Sequence, residues 1–358
     1  MLNSRKKIYT LTFHHVLNNG GVIQAYALQR FLKESGFETK IINYLPAYFL
    51  FQTYRPAKGF TKTWEKIKKI RTFAKFRKHF LEIDSQVIRG PSQLAKIDDA
   101  YAVIVGSDQV WNPRLTGGNV DRTFYLESLP AGTKKISYAA SAGGESLLKN
   151  SELVKSWLSS FTFLGVRESG LSCELESEFG LKGTEVVLDP SLIIDDYSEL
   201  IDSRRVLEGG FLLTYIVASG DTLRSFDAYI SKLKASLGVK VVHIGVKDIS
   251  SADVTMRNVG PREWLAFIQK AGLVVTNSFH GVALSLKFER QFVFFPNHNE
   301  ALNQRQETLL ASLALEGRTA DKFENASFKL PQIDYESISP RLNKMVEKSR
   351  ESLLKALN

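Results

Sequence analysis

Short apolar runs that stop at glycine or proline, alternating with amphipathic stretches of helical period, are what most narrows the folds open to this chain. Residues 7–13 form such a run, followed by a loop with Asn18, Asn19, Gly20 and Gly21, a helical pattern over 22–35 and a second run at 40–44. The type recurs at 102–106, 135–140, 163–166 and 186–190, and Pro190 closes the last because proline cannot donate to a ladder. The alternation then restarts with a run at 211–216, a helix over 223–236, a run at 240–244, a helix opened by Pro261, and runs at 273–276 and 291–295. Strands that alternate with helices build a parallel sheet covered on both faces. A chain of 358 residues is too long for one ordinary core and suits two. The pattern therefore predicts an α/β protein of two Rossmann-like domains facing a cleft, 1–200 and 205–358, with a C-terminal helix over 340–356 that packs back on the first.

Hydrophobic residues at 44% and charged residues at 24% are globular values, which argues against bulk disorder. Cys173 is the sole cysteine, so no internal disulfide forms, and the start shows no signal-type apolar core. No apolar run approaches the roughly 20 residues that cross a bilayer. The expected location is the cytoplasm, with any membrane contact peripheral and on the inner face. The net charge of +9 is densest over 62–80, where Lys62, Lys66, Lys68, Lys69, Arg71, Lys75, Arg77 and Lys78 face a single Glu65. Trp64, Ile67, Ile70, Phe73, Phe76 and Phe80 recur at three- and four-residue steps, so this is an amphipathic helix. Its cations read either as a solvated face or as a contact for anionic lipid, where each basic residue gains about 1 kcal/mol. Nucleic acid is not expected, because no zinc spacing, RNP-type aromatic pair or helix-turn-helix pattern accompanies the charge.

Several residues stand where α/β sheets bind ligands, beyond the C-terminal ends of strands. Asn18 and Gly20 lie between the first strand and helix, where backbone N–H groups favour a polar or anionic ligand, though the glycines also suit a plain turn. Asp108, Gln109, Trp111 and Asn112 follow the run at 102–106 and form a sugar-binding set, carboxylate and amides for hydroxyls and an indole for an apolar face. The competing reading is a helix cap with Trp111 in the core. Arg167 ends the run at 163–166, poised to pair with phosphate or carboxylate or to form a structural ion pair with Glu168 or another strand's acid. His280 falls within Thr276-Asn277-Ser278-Phe279-His280-Gly281, which joins a buried strand to an apolar helix and sets an imidazole at a helix N-terminus. Arg305 precedes a further helix and reads as a second anion clamp or a solvated residue. His14, His15, His79, His243 and His298 share no metal-ligand spacing, and no metal is expected.

In order along the chain, Asn18-Asn19-Gly20, Ile23-Gln24-Ala25-Tyr26-Ala27-Leu28, Gly106 to Pro113, Tyr138 to Ser141, Val166 to Ser169, Leu188 to Pro190 and Ser278 to Gly281 resemble the motifs of the polysaccharide pyruvyl transferase family. The resemblance covers essentially the whole chain. It implies the two-lobed GT-B architecture, phosphoenolpyruvate as co-substrate without a further cofactor, and ketal formation on a sugar of a cell-surface polysaccharide or its lipid-linked precursor. It maps the donor arginine to Arg167, the histidine to His280 and a late basic residue to Arg305. Asn19 and Asn277 depart from the family's usual aromatic and aspartate. The expected site has His280 and Asp108 moving protons, Arg167, Arg305, Ser278 and Gly281 on the donor, and Asn18, Gly20, Gln109, Trp111 and Asn112 on the acceptor. The alternative is a GT-B glycosyltransferase using a nucleotide sugar. Against it, Asn277, Ser278 and His280 stand where that class places an acid for ribose.

Overall fold

A computed structural model describes residues 5–148, 151–217, 220–329 and 331–358. They fall into two compact units, Met1–Ala57 with Phe73–Asp195 and Lys344–Asn358 in the first, and Lys58–Thr72 with Asp196–Asn343 in the second. The sequence pattern suggested one break near residue 200. The structure differs in grouping the start of the basic helix with the second unit; the chain's end groups with the first.

In the first unit β1 (Lys7–Leu11), β2 (Glu38–Tyr44), β3 (Ile83–Ile88), β4 (Ala102–Val105), β5 (Lys134–Ala140), β6 (Phe163–Val166) and β7 (Glu185–Val186) form one sheet in the order β3-β2-β1-β4-β5-β6-β7, parallel throughout. The second unit holds β8 (Leu212–Tyr215), β9 (Val241–Ile244), β10 (Val254–Met256), β11 (Leu273–Thr276) and β12 (Gln291–Phe294), in the order β10-β9-β8-β11-β12 and again parallel. Strands covered on both faces read as unbroken apolar runs, and the Ala-Val-Ile-Val of β4 is buried at every position. The winding direction reverses between β1 and β4 in one sheet and between β8 and β11 in the other. Those reversals open the crevices in which doubly wound sheets bind ligands.

The C-terminal helix starts earlier than its proline suggested. It runs Tyr335–Leu357 with Pro340 inside it, because Asp334 accepts from the N–H groups of Glu336 and Ser337 at 3.1 and 3.3 Å and caps the start upstream. Leu353 and Leu357 are fully buried, and Ser349 Oγ accepts from the Leu188 N–H at 3.0 Å. Arg350 donates to the Ile193 carbonyl and to Asp195, which fixes the end of the helix to the first unit. The basic helix runs Phe60–Phe80. Phe73 and Phe76 are buried, Lys62, Lys68, Arg71, Lys75 and Lys78 are exposed, and Arg77 is turned inward. Among the described residues no helix is long and apolar enough to cross a membrane.

Candidate active site

At the reversal of the first sheet, the loop after β1 and the loop after β4 meet. Asn18 accepts from the Gly21 N–H at 3.2 Å and caps the helix Asn19–Glu34. Gln24 on that helix donates to Thr12 Oγ1 and to the Gly21 carbonyl, both at 2.8 Å, and Thr12 donates to the Ser107 carbonyl at 2.8 Å. A Cβ on Gly21 would lie 3.3 Å from a carboxylate oxygen of Asp108, so that carboxylate sits over the helix's N-terminal turn, beside Asn18 and Gly20. Asp108 itself is in the left-handed region at φ 83°, a conformation that costs a non-glycine residue about 1 kcal/mol or more. Its Oδ1 accepts from the Gln109 N–H at 2.8 Å. The tight turn before it needs Gly106, where a Cβ would stand 2.5 Å from the Tyr138 carbonyl.

Most of the neighbouring motif residues serve to hold this corner. Asp189 accepts from Ser107 Oγ at 2.7 Å and from the Ser191 N–H at 2.9 Å, and it pairs with Arg167 at 2.5 Å. Arg167 also donates to Ser107 and lies 3.9 Å from Asp108. Both side chains of the Arg167–Asp189 pair are sealed from solvent, at 1% and 0% exposure. The cation is balanced inside the unit, which corrects the expectation of an open anion clamp in favour of the structural ion pair; the acid comes from the segment after β7, not from Glu168. Glu168 instead accepts from Ser141 Oγ at 2.8 Å and the Ala142 N–H at 3.1 Å. Trp111 takes the core reading. It is 2% exposed, stacks on Tyr125 and donates to the Phe124 carbonyl, so neither face is offered to a sugar. Asn112 donates to Gln109 Oε1 at 2.9 Å, and the pair packs over Gly143 where a side chain would collide.

The second unit builds its corner at the reversal between β8 and β11. Ser278 caps the helix Phe279–Lys287 by accepting from the Gly281 N–H at 3.3 Å, which sets His280 in the first turn, 6% exposed. Gly281 is required by packing, since a Cβ would lie 2.8 Å from Thr276. Thr276 Oγ1 is itself pinned, donating to the Tyr215 carbonyl at 2.6 Å and accepting from the Ser278 N–H at 3.0 Å. A chain of amides, unnoticed in the sequence, braces the turn. Asn277 accepts from the Val217 N–H at 2.8 Å and donates to Asn297 at 2.8 Å, while Asn303 accepts from the Asn297 N–H at 2.9 Å. Gln306 donates to the Asn277 carbonyl at 2.8 Å, which ties the helix Gln304–Ser312 to this corner and brings Arg305, half-buried in its first turn, beside it. Asparagine at 277 is thus explained as a two-ended brace, which an aspartate, lacking the N–H donors, cannot reproduce. Among the described residues no group of acids, histidines and cysteines is arranged to hold a metal.

Two doubly wound parallel sheets of this kind define the GT-B-like class of α/β proteins, and solved structures bear this out at the level of fold. The chain is similar to the MnaA–UDP co-structure from S. aureus (15% identity, 94% of this chain and 90% of that one, TM-score 0.55). It is similar also to UDP-N-acetylglucosamine 2-epimerase from Rickettsia bellii (9% identity, 99% and 97%, TM-score 0.52) and to UDP-GlcNAc 2-epimerase from Neisseria meningitidis bound to UDP-GlcNAc (10% identity, 98% and 99%, TM-score 0.50). No curated protein matches the sequence. The family model for polysaccharide pyruvyl transferase matches residues 18–299, and the chain belongs to that family.

Proposed function

We propose that this protein transfers the pyruvyl group of phosphoenolpyruvate to two hydroxyls of one sugar in a cell-surface polysaccharide or its lipid-linked precursor, forming a cyclic ketal. The observation that carries the reading, beyond family membership, is the corner at the N-terminus of Phe279–Lys287. The positive end of the helix dipole, the His280 imidazole and the neighbouring Arg305 there suit a small polyanion. Phosphoenolpyruvate needs a proton at carbon three, which His280 supplies, before a first hydroxyl adds to carbon two. That hydroxyl passes its proton to Asp108, the acceptor-side base. A second hydroxyl then displaces inorganic phosphate and closes the ring, its proton leaving with the phosphate. Asn18, Gly20 and Gln109 border the acceptor side, and Ser278 and Gly281 hold the donor-side turn in shape. No cofactor is needed for these steps. The exposed cations of Phe60–Phe80 suit a peripheral contact with an anionic membrane, which fits a lipid-linked acceptor on the cytoplasmic face.

The test is phosphate release from phosphoenolpyruvate in the presence of a panel of glycosides, with UDP-sugars as the competing donor. Release that depends on one glycoside supports the reading, and transfer from a UDP-sugar alone would overturn it. His280→Ala should lower turnover by about 10² to 10⁴, the usual cost of a lost general acid, while phosphoenolpyruvate affinity changes far less.

A further inference from the structure

The helix Phe60–Phe80 does not keep its large apolar residues on one face. Its exposed positions include Phe60, Trp64, Lys68, Arg71, Lys75 and Lys78. At 3.6 residues per turn these fall in one stripe about 80° wide, and the buried Phe73 and Phe76 lie on the opposite side. Each step of three residues turns back by about 60°, so an apolar run that starts at Trp64 has crossed to the far side of the helix by Phe73. This corrects the single apolar face expected from the sequence and leaves Trp64 among the cations.

Phe60 is 88% exposed and Trp64 46%, and half-buried Ile67 stands beside them at the apolar end of the stripe. The Lys68 ammonium and the Arg71 guanidinium each lie 6.0 Å from the centre of the Trp64 ring. Among the described residues none of Lys68, Arg71, Lys75 and Lys78 is paired with an acid, and Glu65, the helix's one acid, lies off the stripe. Aromatic rings at one end and unpaired cations along the rest match an anionic bilayer, whose headgroups take the cations and whose boundary with the acyl chains takes the rings. Other occupants fit less well. A second copy of the chain, itself of net charge +9, would be repelled. A soluble polyanion would meet the cations and leave Phe60 in water.

We propose that Phe60 and Trp64 are an interfacial anchor: they enter the boundary between headgroups and acyl chains of an anionic membrane, while Lys68, Arg71, Lys75 and Lys78 hold headgroup phosphates and lay the helix along the surface. The choice of partner rests on the membrane contact proposed above, which the two rings turn from a loose electrostatic attraction into insertion, and not on the transfer reaction.

Tryptophan fluorescence of the full chain tests the anchor, with vesicles of phosphatidylcholine alone or mixed with phosphatidylglycerol. Of the four tryptophans, Trp111 and Trp264 are buried and Trp157 is half-buried, so Trp157→Phe leaves Trp64 as the exposed reporter. Mixed vesicles are expected to shift its emission to the blue, and acyl-brominated lipid to quench it; phosphatidylcholine alone should do neither. In sedimentation with mixed vesicles, Phe60→Ser and Trp64→Ser should each weaken binding at least about tenfold, the loss of one buried aromatic side chain, against about fivefold for each cation neutralised. Binding without quenching of Trp64, or binding unchanged by Phe60→Ser, overturns the anchor and leaves the electrostatic contact standing. No binding to mixed vesicles overturns both. An equal blue shift with heparin in place of vesicles, or one that grows with protein concentration in the absence of lipid, assigns the stripe to a soluble polyanion or to a second copy and overturns the anchor. Turnover on a soluble glycoside is expected to be unchanged in both serine variants, and its absence in the wild type would sink the proposed reaction without touching the vesicle result.

Discussion

Replacing Asp189 by asparagine tests whether the motif residues of the first unit are scaffold. The substitution keeps the volume and the ability to cap the Ser191 N–H, and it deletes the charge facing Arg167. Arg167 then loses its 2.5 Å carboxylate partner, with Asp108 3.9 Å away and its own side chain 1% exposed. Breaking a buried pair from one side typically costs about 3–5 kcal/mol, whereas replacing both partners by apolar groups is often neutral. For a unit of this size each kcal/mol lowers Tm by roughly 2–4 °C, so Asp189→Asn should melt at least about 6 °C below wild type. The double variant Arg167→Met, Asp189→Leu should recover most of that loss. Differential scanning calorimetry and urea titration of wild type, Arg167→Met, Asp189→Leu and the double variant close the cycle and give the coupling directly. An Asp189→Asn protein that melts within a degree of wild type, or a double variant no more stable than the single, would refute the argument and return Arg167 to the role of an open anion clamp.

Gly281→Ala should destabilise the protein by about 1–3 kcal/mol in urea, because the new methyl meets a threonine fixed by two hydrogen bonds; adding Thr276→Ser should recover part of it. Burial holds His14 down at about 4 and His15 at about 3, so both are neutral around pH 7 and make stability fall with acid. A folded-state pKa below the unfolded value of about 6.5 means that the unfolded chain binds more protons, so their contribution is complete above that pH and is lost as pH drops toward 4 and 3. Urea midpoints measured between pH 7 and 4 should therefore fall, and His14→Asn with His15→Asn should flatten the slope. Lys68→Glu with Lys75→Glu on the exposed face of Phe60–Phe80 should abolish sedimentation with anionic vesicles and leave turnover on a soluble glycoside unchanged.

The fold was legible because buried parallel strands announce themselves, as in Ala102–Val105 and Leu273–Thr276, where three or four apolar residues stop at a polar turn. The edge strands Ile83–Ile88 and Val254–Met256 escaped notice since they are half-covered, and mixed composition there matches a loop as well as a strand. That polar residues stand at these strand ends was legible too. His280, Asp108, Asn18 and Gly20 all lie at the two reversals of strand order. Their neighbours were not, because the sequence shows that a polar residue stands at a strand end without showing which way it points. Arg167 and Trp111 point inward, as Asp189 and the Phe124 carbonyl await them, and Arg77, one cation in a row of eight, is distinguished only by its place on the buried face of its helix.

Proton NMR of the product made in D2O most directly tests pyruvyl transfer. A ketal predicts a saturated CH2D group, one solvent deuteron having been delivered to carbon three, with one phosphate released per sugar consumed. A product that keeps a vinylic methylene, or phosphate released at the same rate without any glycoside, would contradict it.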